Sequence, residues 1–134
     1  PTHLRIRVQD VELARKKYPN YEILAHPECH QEVVKIVDFV GSTKEIMDYV
    51  KNSDKNNFII ATEKGVLDRL KRDYPNKNFV LINENIICPN MKKNTLENIY
   101  DVLLNETNEI TIEKSILSKA KACIDKMLLV NTRN

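Results

Sequence analysis

The segment Phe58-Ile59-Ile60-Ala61-Thr62 shows the pattern that decides the fold of this chain. Its apolar residues form a run of the length of a buried strand, and a polar residue follows where a helix can begin. The same order of short apolar strand, polar turn and helix recurs along the sequence. This alternation predicts an α/β fold, a three-layer αβα domain in which helices cover a short parallel sheet.

Similar apolar runs on either side of this segment predict the rest of the sheet. The predicted parallel strands are residues 22–25, 39–40, 58–61 and 79–82. Apolar residues at helical spacing, bounded by capping residues or prolines, predict the helices. These are expected over residues 11–18, 29–37, 43–51, 63–74, 94–104 and 113–129, with a further short strand at 109–112.

Side chains that can cap a helix mark most of the predicted helix starts: Asp10, Ser42 or Thr43, Thr62, and Asn94 or Thr95. The core pattern is complete near Ile87, so the helix that follows is free to pack elsewhere. We therefore predict an α/β domain over residues 1–90. Residues 91–134 are predicted to form a C-terminal helical extension that packs on another domain.

Composition excludes several classes of protein. A length of 134 residues is enough for one domain with a real core. Charged residues make up 30% of the chain but the net charge is only +2, so no nucleic-acid partner is expected. No apolar run approaches the ~20 residues of a membrane span, and no signal-peptide pattern is present. We expect a cytoplasmic protein that binds no membrane.

Cysteine and glycine usage narrows the classes further. Three widely spaced cysteines without a CxxC pair suit a reducing compartment, and they close no metal site unaided. Two glycines in the whole chain exclude a glycine-rich phosphate loop. The sequence also begins at Pro1 without methionine, so we expect it to be a piece of a longer polypeptide.

Polar side chains follow the predicted strands, and the carboxyl ends of parallel strands meet at one edge of a sheet. These side chains are His26, Glu28, Ser42, Thr43, Thr62, Glu63 and Cys88. They can converge on one pocket. For the hydroxyl residues the alternative is helix capping, which is the default for Thr62. Ser42 and Thr43 could do both, since a helix N-terminus also binds anions.

His26 and Glu28 flank a proline that fixes their turn. A neutral imidazole can donate to a substrate oxygen, and a carboxylate can remove a proton, so the two are candidate catalytic residues. The alternative is that His26 is a hydrogen-bonded structural histidine.

Cys88 follows an apolar run and is fixed by Pro89. Such a cysteine is more often a small buried residue than a metal ligand or a catalyst. A cysteine-nucleophile hydrolase would need a histidine beside it and a backbone oxyanion hole. Of the other cysteines, Cys29 is expected to pack beside the pocket, and Cys123 is expected to lie in an amphipathic helix and to face the core.

Ordered motifs across residues 26–97 resemble those of the quinolinate synthase family. The matching segments are His26-Pro27-Glu28-Cys29, Val40-Gly41-Ser42-Thr43, Thr62-Glu63-Lys64-Gly65 and Cys88-Pro89-Asn90-Met91-Lys92-Lys93, the last followed by Thr95-Leu96-Glu97. The resemblance implies the condensation of iminoaspartate with dihydroxyacetone phosphate to quinolinate, a precursor of NAD. It also implies one of three α/β domains around a pseudo-threefold axis, each giving one cysteine to a [4Fe–4S] cluster whose open iron acts as a Lewis acid.

The resemblance also implies roles for individual residues. Cys88 is similar to the third cluster cysteine, and Met91 is close enough to it to line the cluster pocket. His26 and Glu28 match residues that orient substrate and transfer protons. The hydroxyl residues Ser42, Thr43 and Thr62 match substrate-binding positions, those of Ser42 and Thr43 being for carboxylate or phosphate.

The chain covers only about the last half of the family's length. One thiolate cannot hold a cubane cluster, so the remaining ligands belong to N-terminal domains that are partners of this stretch. We therefore expect this stretch alone to be inactive. A non-catalytic α/β ligand-binding module is the alternative, and it explains the fold but not the ordered motifs.

Overall fold

A computed structural model describes residues 2–131 of the chain. The chain divides into two compact units, with the boundary between Lys92 and Lys93. In the first unit the helices are a 3₁₀ turn at His3–Arg5 and α1 (Val8–Lys17), α2 (Gln31–Val34), α3 (Thr43–Asn52) and α4 (Lys64–Asp73). The strands are β1 (Glu22–Ala25), β2 (Phe39–Val40), β3 (Asn57–Ala61) and β4 (Asn78–Leu81).

The four strands form one parallel sheet in the order β2-β1-β3-β4. The predicted parallel sheet is therefore confirmed. Leu24 of the central strand β1 lies opposite Phe39 of β2 and Ile60 of β3. Ala25 at the end of β1 pairs with Ala61 at the end of β3, so the loops after these two strands begin side by side.

Side chains of the central strands alternate between two cores, because successive residues of a strand point to opposite faces of a sheet. Ile23 and Ile59 belong to one core, which α1 and α2 cover, with Val11 and Val33 fully buried there. The other face carries a second core with α3 and α4, whose buried residues are Leu24, Ile46, Val50, Phe58, Ile60, Leu67, Leu70 and Phe79. The three-layer αβα arrangement follows from this two-sided burial.

Three predicted helix features of the first unit are wrong. Helix α1 begins at Val8, and Asp10 lies inside it, where its carboxylate accepts the N–H of Arg7 at 2.8 Å. Helix α2 spans only residues 31–34, because the chain first makes a turn in which the N–H of Cys29 reaches the carbonyl of His26. Helix α4 is capped by Glu63 rather than Thr62.

The second unit contains α5 (Leu96–Asn105) and α6 (Lys114–Asn131), and the 3₁₀ turn Met91–Lys93 lies at the boundary. Thr95 caps α5 as predicted, its hydroxyl accepting the N–H of Asn98 at 3.2 Å. The strand predicted at 109–112 is absent, and these residues are irregular. Cys123 is exposed, so its predicted core position is wrong for this unit. Within residues 2–131, no helix has the length and apolar character needed to cross a membrane.

Candidate functional site

The site is built on the paired ends of β1 and β3. The N–H of His26, directly after β1, donates to the carbonyl of Ala61 at 3.3 Å, so the sheet ladder continues one step past the strand. Thr62 follows Ala61 in the neighbouring strand. His26 and Thr62 are therefore brought to the same edge of the sheet, as the strand-end argument predicts.

His3, from the 3₁₀ turn before α1, joins the residues at this edge. Its Nδ1 lies 3.0 Å from Oε2 of Glu28, and its Nε2 lies 3.0 Å from the hydroxyl of Thr62. Its ring stacks on that of His26 with centroids 4.2 Å apart and planes 9° from parallel. We call these four residues, His3, His26, Glu28 and Thr62, the imidazole side of the site.

The partners of His3 fix where its protons can be. An ionised carboxylate only accepts hydrogen bonds, so Nδ1 of His3 must carry a hydrogen and donate it to Glu28. In the neutral ring, Nε2 then accepts the hydroxyl hydrogen of Thr62. Thr62 is only 1% exposed, so its hydrogen bond with His3 is made on the buried side of the site.

His26 has the opposite tautomer when it is neutral. Its Nδ1 accepts the backbone N–H of Glu28 at 3.2 Å, which leaves the hydrogen on Nε2. Burial lowers the pKa of His26, the nearby His3 lowers it further, and Glu28 opposes both. His26 is therefore a neutral imidazole with an Nε2–H donor at neutral pH, as its predicted role requires.

Glu28 is the exposed member of this set, with 69% of its side chain accessible. The hydrogen bond from His3 lowers the pKa of Glu28, and the charge interaction with His26 adds to this. The carboxylate is ionised at neutral pH and so can accept a proton or a hydrogen bond. A lowered pKa also makes it a weaker base than an ordinary glutamate.

Cys88 lies in the loop after β4 and is half-buried. Its pKa is lowered, first by the backbone N–H of Met91 and then by the hydroxyl of Thr2, with a further contribution from the N–H of Asn90. Donors aimed at sulfur favour the thiolate, the form that binds metal. In the part of the chain that the structure describes, none of these partners is a histidine, so the pairing that a cysteine hydrolase needs is missing.

The residues around Cys88 adjoin the imidazole side through the sequence. Thr2 precedes His3, and Glu63 follows Thr62. Glu63 accepts the backbone N–H of Cys88 at 3.2 Å and lies 3.7 Å from Nζ of Lys92. We call Thr2, Glu63, Cys88 and Lys92 the thiol side of the site.

Ser42 and Thr43 stand after β2, the edge strand next to β1. The hydroxyl of Ser42 accepts the N–H of Glu45 at 3.4 Å, and the carboxylate of Glu45 accepts the N–H of Ser42 at 2.7 Å. The predicted capping box is therefore present. The contacts of Ser42 hold it to α3, whereas His26, Glu28 and Thr62 are joined by His3.

Cys29, the other cysteine of the first unit, has the properties of an unreactive thiol. Cys29 is 6% exposed, and its thiol donates to the carbonyl of Ala61 at 3.7 Å. Burial raises the pKa of Cys29 to about 11. It packs beside the site without offering a thiolate, as predicted.

Side chains of the imidazole side could also hold a metal ion. One ligand atom from each of His3, His26 and Glu28 lies within 4.8 Å of the other two. Both ring nitrogens of His3 are already hydrogen-bonded, however, one to the carboxylate and one to Thr62. The arrangement is better suited to holding a hydrogen-bonded substrate than to releasing a lone pair to a metal.

His3 is the central residue that the strand-end argument missed, because it comes from a segment before the first strand. No spacing within the sequence links it to residues 23 to 59 positions away.

The fold and site together define an α/β domain that gathers polar and titratable side chains at the carboxyl ends of parallel strands. A family model described as "NadA: Quinolinate synthetase A protein" matches residues 1–129. The chain therefore belongs to the quinolinate synthetase A family, and the predicted resemblance is confirmed.

Named relatives agree with this assignment. The chain is 49% identical over 127 residues to "Quinolinate synthase" of Caldicellulosiruptor bescii, an alignment that covers 95% of the chain and 42% of the relative. It is 47% identical over 118 residues to that of Clostridioides difficile, covering 88% of the chain and 39% of the relative. The chain thus spans about two fifths of the length of these relatives.

Proposed function

We propose that this chain is the C-terminal portion of a quinolinate synthase that condenses iminoaspartate with dihydroxyacetone phosphate in NAD biosynthesis. The observation that carries the proposal is that contacts link an imidazole, a carboxylate and a thiol at one sheet edge. His3 contacts His26, Glu28 and Thr62, and Glu63, next to Thr62, accepts the N–H of Cys88. The proposed reaction is taken from the family to which the chain belongs, and the residues of the site have chemistry that suits it.

The chemistry of Cys88 fits one ligand position of a [4Fe–4S] cluster. Cys88 is only half-buried, and three donors favour its thiolate. Cys29 does not fit, because it is buried with a raised pKa. The remaining ligands are proposed to come from the N-terminal domains, so this portion alone would be inactive. When bound, the cluster supplies an open iron as a Lewis acid for a substrate oxygen.

The imidazole side is proposed to bind and orient the substrate. Nε2–H of His26 is the donor for a substrate oxygen, and the ring is held in place by the stack with His3 and the N–H of Glu28. Glu28 is proposed to accept a proton, and its lowered pKa suits a proton of a strongly acidified substrate carbon. The N-terminus of α3, with Ser42 and Thr43, is proposed to bind a substrate carboxylate or phosphate.

The test is to purify the complete enzyme anaerobically and measure iron, sulfide and quinolinate formation together. We expect a cubane cluster and quinolinate from the two named substrates. A protein that binds neither iron nor sulfide, and forms no quinolinate with its N-terminal domains present, would favour the alternative of a non-catalytic ligand-binding module.

A further inference from the structure

Glu63 is a buried carboxylate whose two oxygens serve different parts of the structure. Only 7% of its side chain is exposed. Oε2 accepts the N–H of Gly65 at 2.6 Å, which caps helix α4. Oε1 accepts the N–H of Cys88 at 3.2 Å. A buried charge is costly unless it is paired and hydrogen-bonded, so both sets of contacts matter to the fold.

Capping alone does not explain a glutamate at this position. The preferred cap residues are the shorter Ser, Thr, Asp and Asn, and the other two capped helices described above use Ser42 and Thr95. The extra methylene of Glu63 lets its second oxygen reach the cysteine loop. The N–H of Lys64 also donates to the carbonyl of Ile86 at 3.0 Å, so the start of α4 holds this loop at two successive points.

Gly65 gives an independent indication that space is kept for this carboxylate. A Cβ on Gly65 would lie 2.8 Å from Oε2 of Glu63, closer than real Cβ atoms approach. Gly65 has no positive φ, so the backbone does not require a glycine here. A side chain at this position would therefore push the Glu63 carboxylate aside.

Lys92, at the far end of the loop that carries Cys88, also contacts Glu63. Its Nζ lies 3.7 Å from Oε1, the same oxygen that accepts the N–H of Cys88. The backbone N–H of Lys92 donates to the carbonyl of Cys88 at 3.3 Å, closing the turn. One carboxylate oxygen thus contacts both ends of the turn that carries the thiol.

We propose that Glu63 is a positioning residue that fixes the Cys88 turn, and so the direction of its thiolate, for binding the iron–sulfur cluster. This inference rests on the proposed function, since it requires Cys88 to be a cluster ligand. Groups that orient the ligands of a metal centre control its affinity although they do not touch the metal.

The experiment uses the complete enzyme carrying Glu63→Asp or Glu63→Gln. Aspartate is a good cap but is one methylene shorter, so it keeps the start of α4 and loses the reach to Cys88. Glutamine keeps the length but has a single acceptor oxygen for two N–H groups. We expect both variants to release iron to a chelator about 10- to 100-fold faster than the unmodified enzyme, with an altered EPR spectrum of the reduced cluster.

Glu45→Gln is the matched control. It also changes a helix N-terminal glutamate whose carboxylate accepts a backbone N–H, that of Ser42, and its helix α3 follows β2, at the opposite edge of the sheet from β4. We expect it to lower the melting temperature without changing iron release or the EPR spectrum. If the Glu63 variants behave like Glu45→Gln, Glu63 only stabilises the fold and the inference is wrong.

Gly65→Ala is the second variant, useful if the Glu63 variants do not fold. The added Cβ would press on Oε2, the oxygen that caps α4, so a capping role alone predicts lower stability with an unchanged cluster. Displacement of the carboxylate predicts faster iron release, and normal release with a normal spectrum would overturn the inference. Failure of the proposed function looks different: the unmodified enzyme would then contain no cluster.

Discussion

The imidazole side and the thiol side lie next to each other but are built in opposite ways. On the imidazole side the reactive groups bond directly to one another, and Glu28 at its rim is open to solvent. On the thiol side, backbone and hydroxyl donors lower the pKa of Cys88, and a buried carboxylate, that of Glu63, accepts its backbone N–H. This difference fits the proposed roles, which are proton exchange with a substrate on the first side and a fixed direction of the Cys88 sulfur on the second.

Loss of the sulfur should give the largest effect. In the complete enzyme, Cys88→Ser should remove the cluster and abolish quinolinate formation, because a hydroxyl is a poorer iron ligand than a thiolate. Visible absorbance of the reconstituted cluster and quinolinate formed are the measurements. Cys29→Ser and Cys123→Ser are the controls and should retain the cluster. The assignment fails if Cys88→Ser keeps full absorbance while either control loses it.

His26→Ala should impair the imidazole side and leave the thiol side unchanged. The cluster should remain, because imidazole is assigned to substrate rather than iron, while kcat falls by about 100- to 10,000-fold, the usual range for general acid–base groups. Steady-state rates and the cluster absorbance of the same sample check this. Loss of absorbance in step with activity would instead place His26 on the thiol side.

His3→Ala should have a smaller and more local effect, which is a higher pKa for Glu28. The hydrogen bond from His3 is the largest cause of the lowered value, so removing it should move that pKa toward the ordinary 4.5. A carboxyl with a lowered pKa in the folded state stabilises the fold above its unfolded value, and this contribution is lost as the pH falls through the folded pKa. The variant should therefore lose part of its acid sensitivity below pH 4.5.

NMR titration of the Glu28 carboxyl carbon measures this shift directly. His30→Ala is the control, because His30 contacts the carbonyl of Leu4 and the guanidinium of Arg7 rather than Glu28. An unchanged Glu28 titration in His3→Ala would mean that the contact between the two side chains is not made in solution.

The contrast between the two sides also explains what the sequence could predict. The sheet and the placement of His26 and Thr62 at one edge follow from local apolar runs and from the rule that strand ends meet at one edge. His3 could not be found that way, because its partners are distant in the sequence and come together only through tertiary packing.

The predicted start of α4 is wrong because the residues there make contacts with distant parts of the chain. Thr62 is a good cap by type, yet its hydroxyl bonds to His3, and Glu63 caps α4 while also reaching Cys88. Ser42 has no such second partner in the part of the chain that the structure describes, and there the capping rule held. At the start of α4, the local signal thus failed at a position that also contacts the site.

Ser42 belongs to neither the imidazole side nor the thiol side, and its substitution should have the smallest effect. Ser42→Ala removes the side chain that caps α3 and should lower the free energy of unfolding by about 1 kcal/mol. Ser42→Asp keeps a capping oxygen, and its charge suits a helix N-terminus, so stability should stay near that of the unmodified protein. If the start of α3 also binds an anionic substrate, that same charge should raise KM. Urea unfolding and steady-state kinetics of both variants give the two readings. A normal KM in Ser42→Asp would leave Ser42 as a helix cap alone, and substrate contacts would then belong to the imidazole side.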